Sequence, residues 1–126
     1  MNLREDIAPG GQGAGADLDH GFLARQCMGD AALEQEILGL FLREARRMRG
    51  EIARPGQSAA AIADTAHKLK GSALAVGAGA LAADAARFEA LCRSGGAAAE
   101  RQAALARLQA AVDRVCSAIT PPEPAV

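Results

Sequence analysis

The sequence predicts an all-α protein: an antiparallel up-and-down four-helix bundle with an additional short N-terminal helix. Three observations carry that reading. Half of the 126 residues are hydrophobic, but alanine supplies much of that half, Trp and Tyr are absent, and only Phe22, Phe41 and Phe88 are aromatic. Such a composition suits close packing of slim helices better than strands of β-branched residues. Apolar residues recur at steps of three and four along several long segments. Short Gly-bearing connections separate those segments, which argues for antiparallel neighbours. A chain of this length fits one domain, able to bury a core without metal or disulfide staples.

Taken in order, residues 1–16 are Gly-rich and aperiodic and read as a flexible N-terminal tail. A short helix is expected from near Asp17 to Gly29, burying Leu18, Phe22 and either Leu23 or Cys27. Asp30 caps a second helix to about Ala53, with Leu33, Ile37, Leu40, Phe41, Met48 and Ile52 at helical spacing. Pro55 and Gly56 break it, and Ser58 can cap a third helix over about 58–77 that carries Ile62, Ala66, Leu69, Ala73 and Val76. Gly77 and Gly79 mark its end. A fourth helix, about 80–93, presents Leu81, Ala85, Phe88 and Leu91 or Cys92 before "SGG" turns the chain. The last, about 97–119, repeats the pattern with Ala98, Leu105, Leu108, Val112, Val115 and Ile119. Residues 17–119 thus form the bundle, and the Pro-rich residues 120–126 read as a flexible C-terminal tail.

A net charge of −1 with both signs interspersed leaves no footprint for nucleic acid or for an anionic membrane surface. The three cysteines, Cys27, Cys92 and Cys116, are odd in number and far apart, which suits reduced thiols rather than a disulfide framework. No Cys or His pair has metal-site spacing. The N-terminus lacks the apolar core of a signal peptide and no apolar run is long enough to span a bilayer, so a cytoplasmic protein is expected.

The segment "AHKLKGSALAVGAG" gathers His67 with the only two lysines, Lys68 and Lys70, in a chain that otherwise uses arginine for positive charge. On a helical wheel with Ile62 at zero, Ala66, Leu69, Ala73 and Val76 fall within roughly 40° of it, whereas His67 lands about 140° away and faces out of the core. Its neighbours on that outer face are Ala60, Ala63, Gly71, Leu74 and Ala78, mostly small. Gly71 in mid-helix costs about 1 kcal/mol relative to alanine, so something must offset it. Either a Cβ there would obstruct a partner or a bulky group on the ring, or the backbone packs closely on another helix; the wheel favours access. Lys70, at i+3, can bring an ammonium to an anion on His67, while Lys68 points elsewhere. A neutral imidazole, with an ordinary pKa of about 6.5, has a free lone pair for nucleophilic attack. Phosphorylation would give a phosphoramidate for Lys70 to steady. By itself this geometry more often marks a solvated surface histidine without chemistry.

Residues 66–78 resemble the signature of histidine-containing phosphotransfer (Hpt) domains: His67, apolar Leu69, Lys70, Gly71, small Ser72, and Gly77 further on. The likeness extends over about residues 17–118, since "DHGFLARQCMGDAALEQEILGLF" is similar to the family's opening helices and "LAADAARFEALCRSG" to the helix after the site. One position departs: Ala73 stands where a second small polar residue is common. The resemblance implies that His67 accepts a phosphoryl group from a sensor kinase, possibly hybrid, or its receiver domain and passes it to a response-regulator receiver aspartate. It implies no cofactor in this chain, with Mg²⁺ on the partner receiver domain. It also implies a Gln or Glu on the following helix that contacts the histidine, and the sequence offset puts Glu89 there. A carboxylate accepting the Nδ1 proton would leave Nε2 free to attack; an exposed Glu89 pairing with Arg93 at i+4 is the competing reading.

Autokinase activity is not expected, because "GGQGAG" follows no strand and lacks the context of a phosphate loop. The same signature occurs within chemotaxis-type kinases, but the absence of a kinase region favours a free, monomeric relay. Gly71, Leu74, Lys68 and Phe22 are candidates for partner docking. Two rivals stand beside the relay. A helical adaptor would bind a kinase or receiver domain without phosphate passing through His67. A histidine-dependent phosphatase would need a second base, for which only Glu89 and Asp64 are at hand.

Overall fold

The computed structural model describes residues 17–119, and the two predicted tails lie outside them. Five helices follow in order: α1 (His20–Gln26), α2 (Ala31–Ala53), α3 (Ala59–Ala75), α4 (Gly79–Ser94) and α5 (Ala98–Ile119). Consecutive long helices pack antiparallel, and α2 also packs on α5, closing a four-helix bundle. No strand occurs among the described residues.

Local chemistry sets the boundaries. Asp30 and Ser58 cap α2 and α3, their side chains accepting from Leu33 N and Ala61 N at 3.1 Å each. Asp19, not Asp17, caps α1, accepting from Phe22 N at 2.9 Å, so this helix is shorter than the predicted 17–29. At the other end of α3, Gly77 takes φ +82° and Ala78 N donates to Ala73 O at 2.8 Å, a left-handed cap that ends the helix two residues before its predicted limit. Gly95, at φ +71°, does the same for α4.

The core is lined by Leu38, Phe41, Met48, Leu69, Leu81, Phe88, Leu108, Val112 and Val115, with alanines at many of the remaining contacts. Ala45, Ala63, Ala66, Ala73 and Ala85 are fully buried. Several predicted positions shift. Leu33 and Leu40 on α2 are exposed, because Leu38 and Ala45 turn inward and the apolar stripe of α2 is rotated from the one expected, and Ala98, the first residue of α5, is exposed as well. Ile37, Ile62, Leu91, Leu105 and Ile119 are only partly buried at its rim. Ala63 and Ala78, placed on the outer face with His67, are buried. Helix α3 packs on both α2 and α4, so its covered arc is wider than a single stripe, and Ala78 lies beyond its end in the turn into α4.

Helix α1 sits at the end of the bundle where α3 turns into α4. Asp19 N donates to Gly77 O at 2.9 Å, Leu18, Leu23 and Cys27 are buried, and Asp17 reaches Arg114 on α5 at 3.2 Å. A Cβ on Gly77 would stand 3.0 Å from Asp19 O and 3.1 Å from Phe22 Cδ2. The glycine therefore serves both the left-handed cap and the close approach of α1. The three cysteines are buried free thiols, and burial pushes each of them above the ordinary range.

Candidate functional site

His67 lies on the edge of α3 that borders α4, with 60% of its side chain exposed. Its Nδ1 is 3.2 Å from both carboxylate oxygens of Glu89, which projects from α4. A carboxylate in that place can accept the Nδ1 proton of a neutral ring, which would leave the Nε2 lone pair free, and no hydrogen bond to Nε2 occurs among the described residues. Glu89 contacts His67 and also accepts from Arg93 Nε at 2.9 Å, so the expected i+4 pair forms, but not on an exposed glutamate. Only 14% of its side chain is exposed.

Arg93 has a second partner that the sequence does not reveal. Its terminal nitrogen donates to Asp64 at 2.9 Å, and Asp64 is on α3, one turn before His67. The contacts run in sequence from His67 to Glu89, Arg93 and Asp64, crossing the α3–α4 seam and returning to α3. Burial alone would raise the Glu89 carboxyl, but hydrogen bonds from Arg93 and His67, with the charge of both, bring it below the ordinary range. The Asp64 and Glu89 carboxylates in turn push the Arg93 guanidinium further up, so it stays charged.

Around these contacts the predicted residues divide. Gly71, one turn after His67, is exposed, and a Cβ added to it would meet nothing within 4 Å. Close packing on another helix is therefore not why it is glycine. Leu74, two turns after His67, is 53% exposed. Lys70 is half-buried and Lys68 exposed, and among the described residues neither forms an ion pair. Phe22 is half-buried against Gly77 rather than fully in the core. Leu40, read from sequence as core, is instead 54% exposed. No helix among the described residues is long and apolar enough to cross a membrane.

Comparison with known proteins gives one positive finding. The family model described as the Hpt domain matches residues 36–118, well over half of the chain. The match begins inside α2, so α1 lies outside it. No curated protein and no solved structure gives a significant match.

Proposed function

The chain belongs to the Hpt domain family, whose role is phosphotransfer in two-component phosphorelays, and from that premise we propose that His67 is its phosphoryl carrier. In the accepting step, the Nε2 lone pair attacks the phosphorus of an aspartyl phosphate on a partner receiver domain. The N–P bond forms, the P–O bond to the aspartate breaks, and the carboxylate leaves as an anion. The ring keeps its Nδ1 proton and so becomes cationic, with Glu89 opposite that charge. Transfer onward to a second receiver reverses these bonds, and neutral imidazole leaves. A kinase can load His67 in the same way from a phosphoanhydride.

The observation that carries this reading is the ring's engagement on one side only: Nδ1 against Glu89 at 3.2 Å, with most of the side chain exposed for an incoming group. Lys70 steadies the phosphoryl oxygens, Gly71 leaves clearance, and Leu74, Lys68 and Phe22 belong to the surface on which the partner docks. Mg²⁺ and any catalytic acid belong to the partner receiver. The setting is the cytoplasm, with this chain acting as a monomer.

The test is a transfer assay from a phosphorylated receiver domain with Mg²⁺, comparing wild type with His67→Gln. Acid-labile, alkali-stable label that appears on wild type and vanishes with the substitution is the expected result. A folded wild-type protein that takes no label from a panel of receivers and kinases would overturn the reading in favour of a binding adaptor.

A further inference from the structure

We propose that Arg93 is a positioning residue of this site: it acts through Glu89, holding that carboxylate against His67 Nδ1, and is held in turn by Asp64. The consequence for phosphotransfer rests on the carrier reading above, but the positioning itself does not.

Both Glu89 oxygens lie at the same 3.2 Å from Nδ1, a long and shared contact that leaves the carboxylate free to swing if the ring is its only partner. Arg93 supplies the missing restraint. Its Nε–H engages Oε2 at 2.9 Å, a short charge-assisted bond that fixes the carboxylate plane. The guanidinium is a rigid planar fork, so a second hold on it fixes the first. That second hold is Asp64, at 2.9 Å from the other arm. Asp64 shares α3 with His67, so the position of Glu89 is referred back to the helix that carries the ring.

Stability is a poor reason for the Arg93–Asp64 link. The Arg93 and Asp64 side chains are 44% and 67% exposed, and surface pairs of that kind contribute little. An acceptor that must sit at one place, through a reaction in which Nδ1 becomes part of a cation, gives a better reason. Arg93 also neutralises one of the two carboxylates beside the ring, so the site keeps a local negative charge without two unscreened like charges on the seam.

The experiment reads the tautomer of the neutral ring by imidazole ¹⁵N shifts near pH 8 in the unphosphorylated protein, with His20 as internal control. Wild type shows the Nδ1–H form in excess. In Arg93→Ala the ratio of Nδ1–H to Nε2–H falls about fivefold, as weakening one charge-assisted hydrogen bond entails, while His20 and helical circular dichroism are unchanged. Asp64→Asn gives a smaller fall in the same direction. In a Glu89→Ala background, Arg93→Ala changes nothing further, because its route of action is gone. If Arg93→Ala lowers helicity, Arg93→Gln, which keeps the aliphatic stem, is read by the same criteria. A ratio equal to wild type, or an equal fall in the Glu89→Ala background, overturns the proposal. No phosphoryl donor is involved, so failure of the carrier reading leaves this result intact, and the converse also holds.

Discussion

At the scale of single residues, the site separates groups that touch the ring from groups that face the space in front of it. Glu89 is of the first kind, and its lowered carboxyl pKa makes it a reporter of folding. Because the folded value lies below the unfolded one, the carboxylate contributes stability that is complete above the ordinary carboxyl value of about 4.3 and is lost as pH falls through the folded value. Urea unfolding of wild type and Glu89→Gln should therefore give a stability difference in which wild type loses ground as pH falls below about 4. Lys70, three residues after His67, is proposed to be of the second kind. Lys70→Ala should slow transfer to His67 with helicity unchanged, and equal rates would remove Lys70 from the mechanism. How far these residues could be read from sequence follows from distance along the chain. The outward position of His67 and the openness at Gly71 follow from the periodicity of one helix, and the structure bears out both. Glu89 needed the offset supplied by the family resemblance, since no wheel relates two helices. The Arg93–Asp64 link escaped because 29 residues separate its ends and either side chain alone reads as a solvated charge.

The helices show where local signals suffice and where they fail. Asp30 and Ser58 stand where their caps are needed, and α2, α4 and α5 start and stop within a residue or so of expectation. The buried faces were harder. An apolar stripe computed for one helix assumes one neighbour, whereas α3 has two, so Ala63 beside His67 is covered by the bundle and the outer face is narrower than expected. Two glycines at the ends of the same motif now separate by function. Gly71 is exposed, helical and uncrowded, so Gly71→Ala should stabilise α3 by about 0.5–1 kcal/mol and yet slow phosphotransfer if the clearing serves a partner. Gly77 has φ +82° and a Cβ there would press on Asp19, so Gly77→Ala should destabilise by about 1–3 kcal/mol and loosen α1. Thermal melts of the two variants, moving in opposite directions, check both, and a transfer assay on the stabilised Gly71 variant isolates the functional half.

At the scale of the whole molecule, the packing of α3 on α4 is what brings the two halves of the site together. Helices α3 and α4 share the most extensive contact in the bundle, and Ala63, Ala66 and Ala73 on one and Ala82 and Ala85 on the other are buried. Small side chains at a helix contact allow close axes, since interaxial distance follows the residues in the seam. The His67–Glu89 contact, at 3.2 Å, depends on that spacing, for a glutamate side chain cannot follow its partner if the helices part. Enlarging the seam should therefore weaken the site without touching any group in it. Ala66→Leu adds three carbons at a fully buried position next in sequence to His67 and should cost about 1–3 kcal/mol by overpacking, leaving a folded bundle with α3 and α4 pushed apart. Its His67 ring should lose the excess of the Nδ1–H tautomer. The comparison is Leu108→Ala, a buried change on α5, for which a cost of about 2–5 kcal/mol is expected with no loss of that excess. If both variants retain the wild-type tautomer ratio, the spacing of α3 and α4 does not govern the site; if only Ala66→Leu loses it, the alanine composition that first marked this chain as a bundle also positions His67 against Glu89.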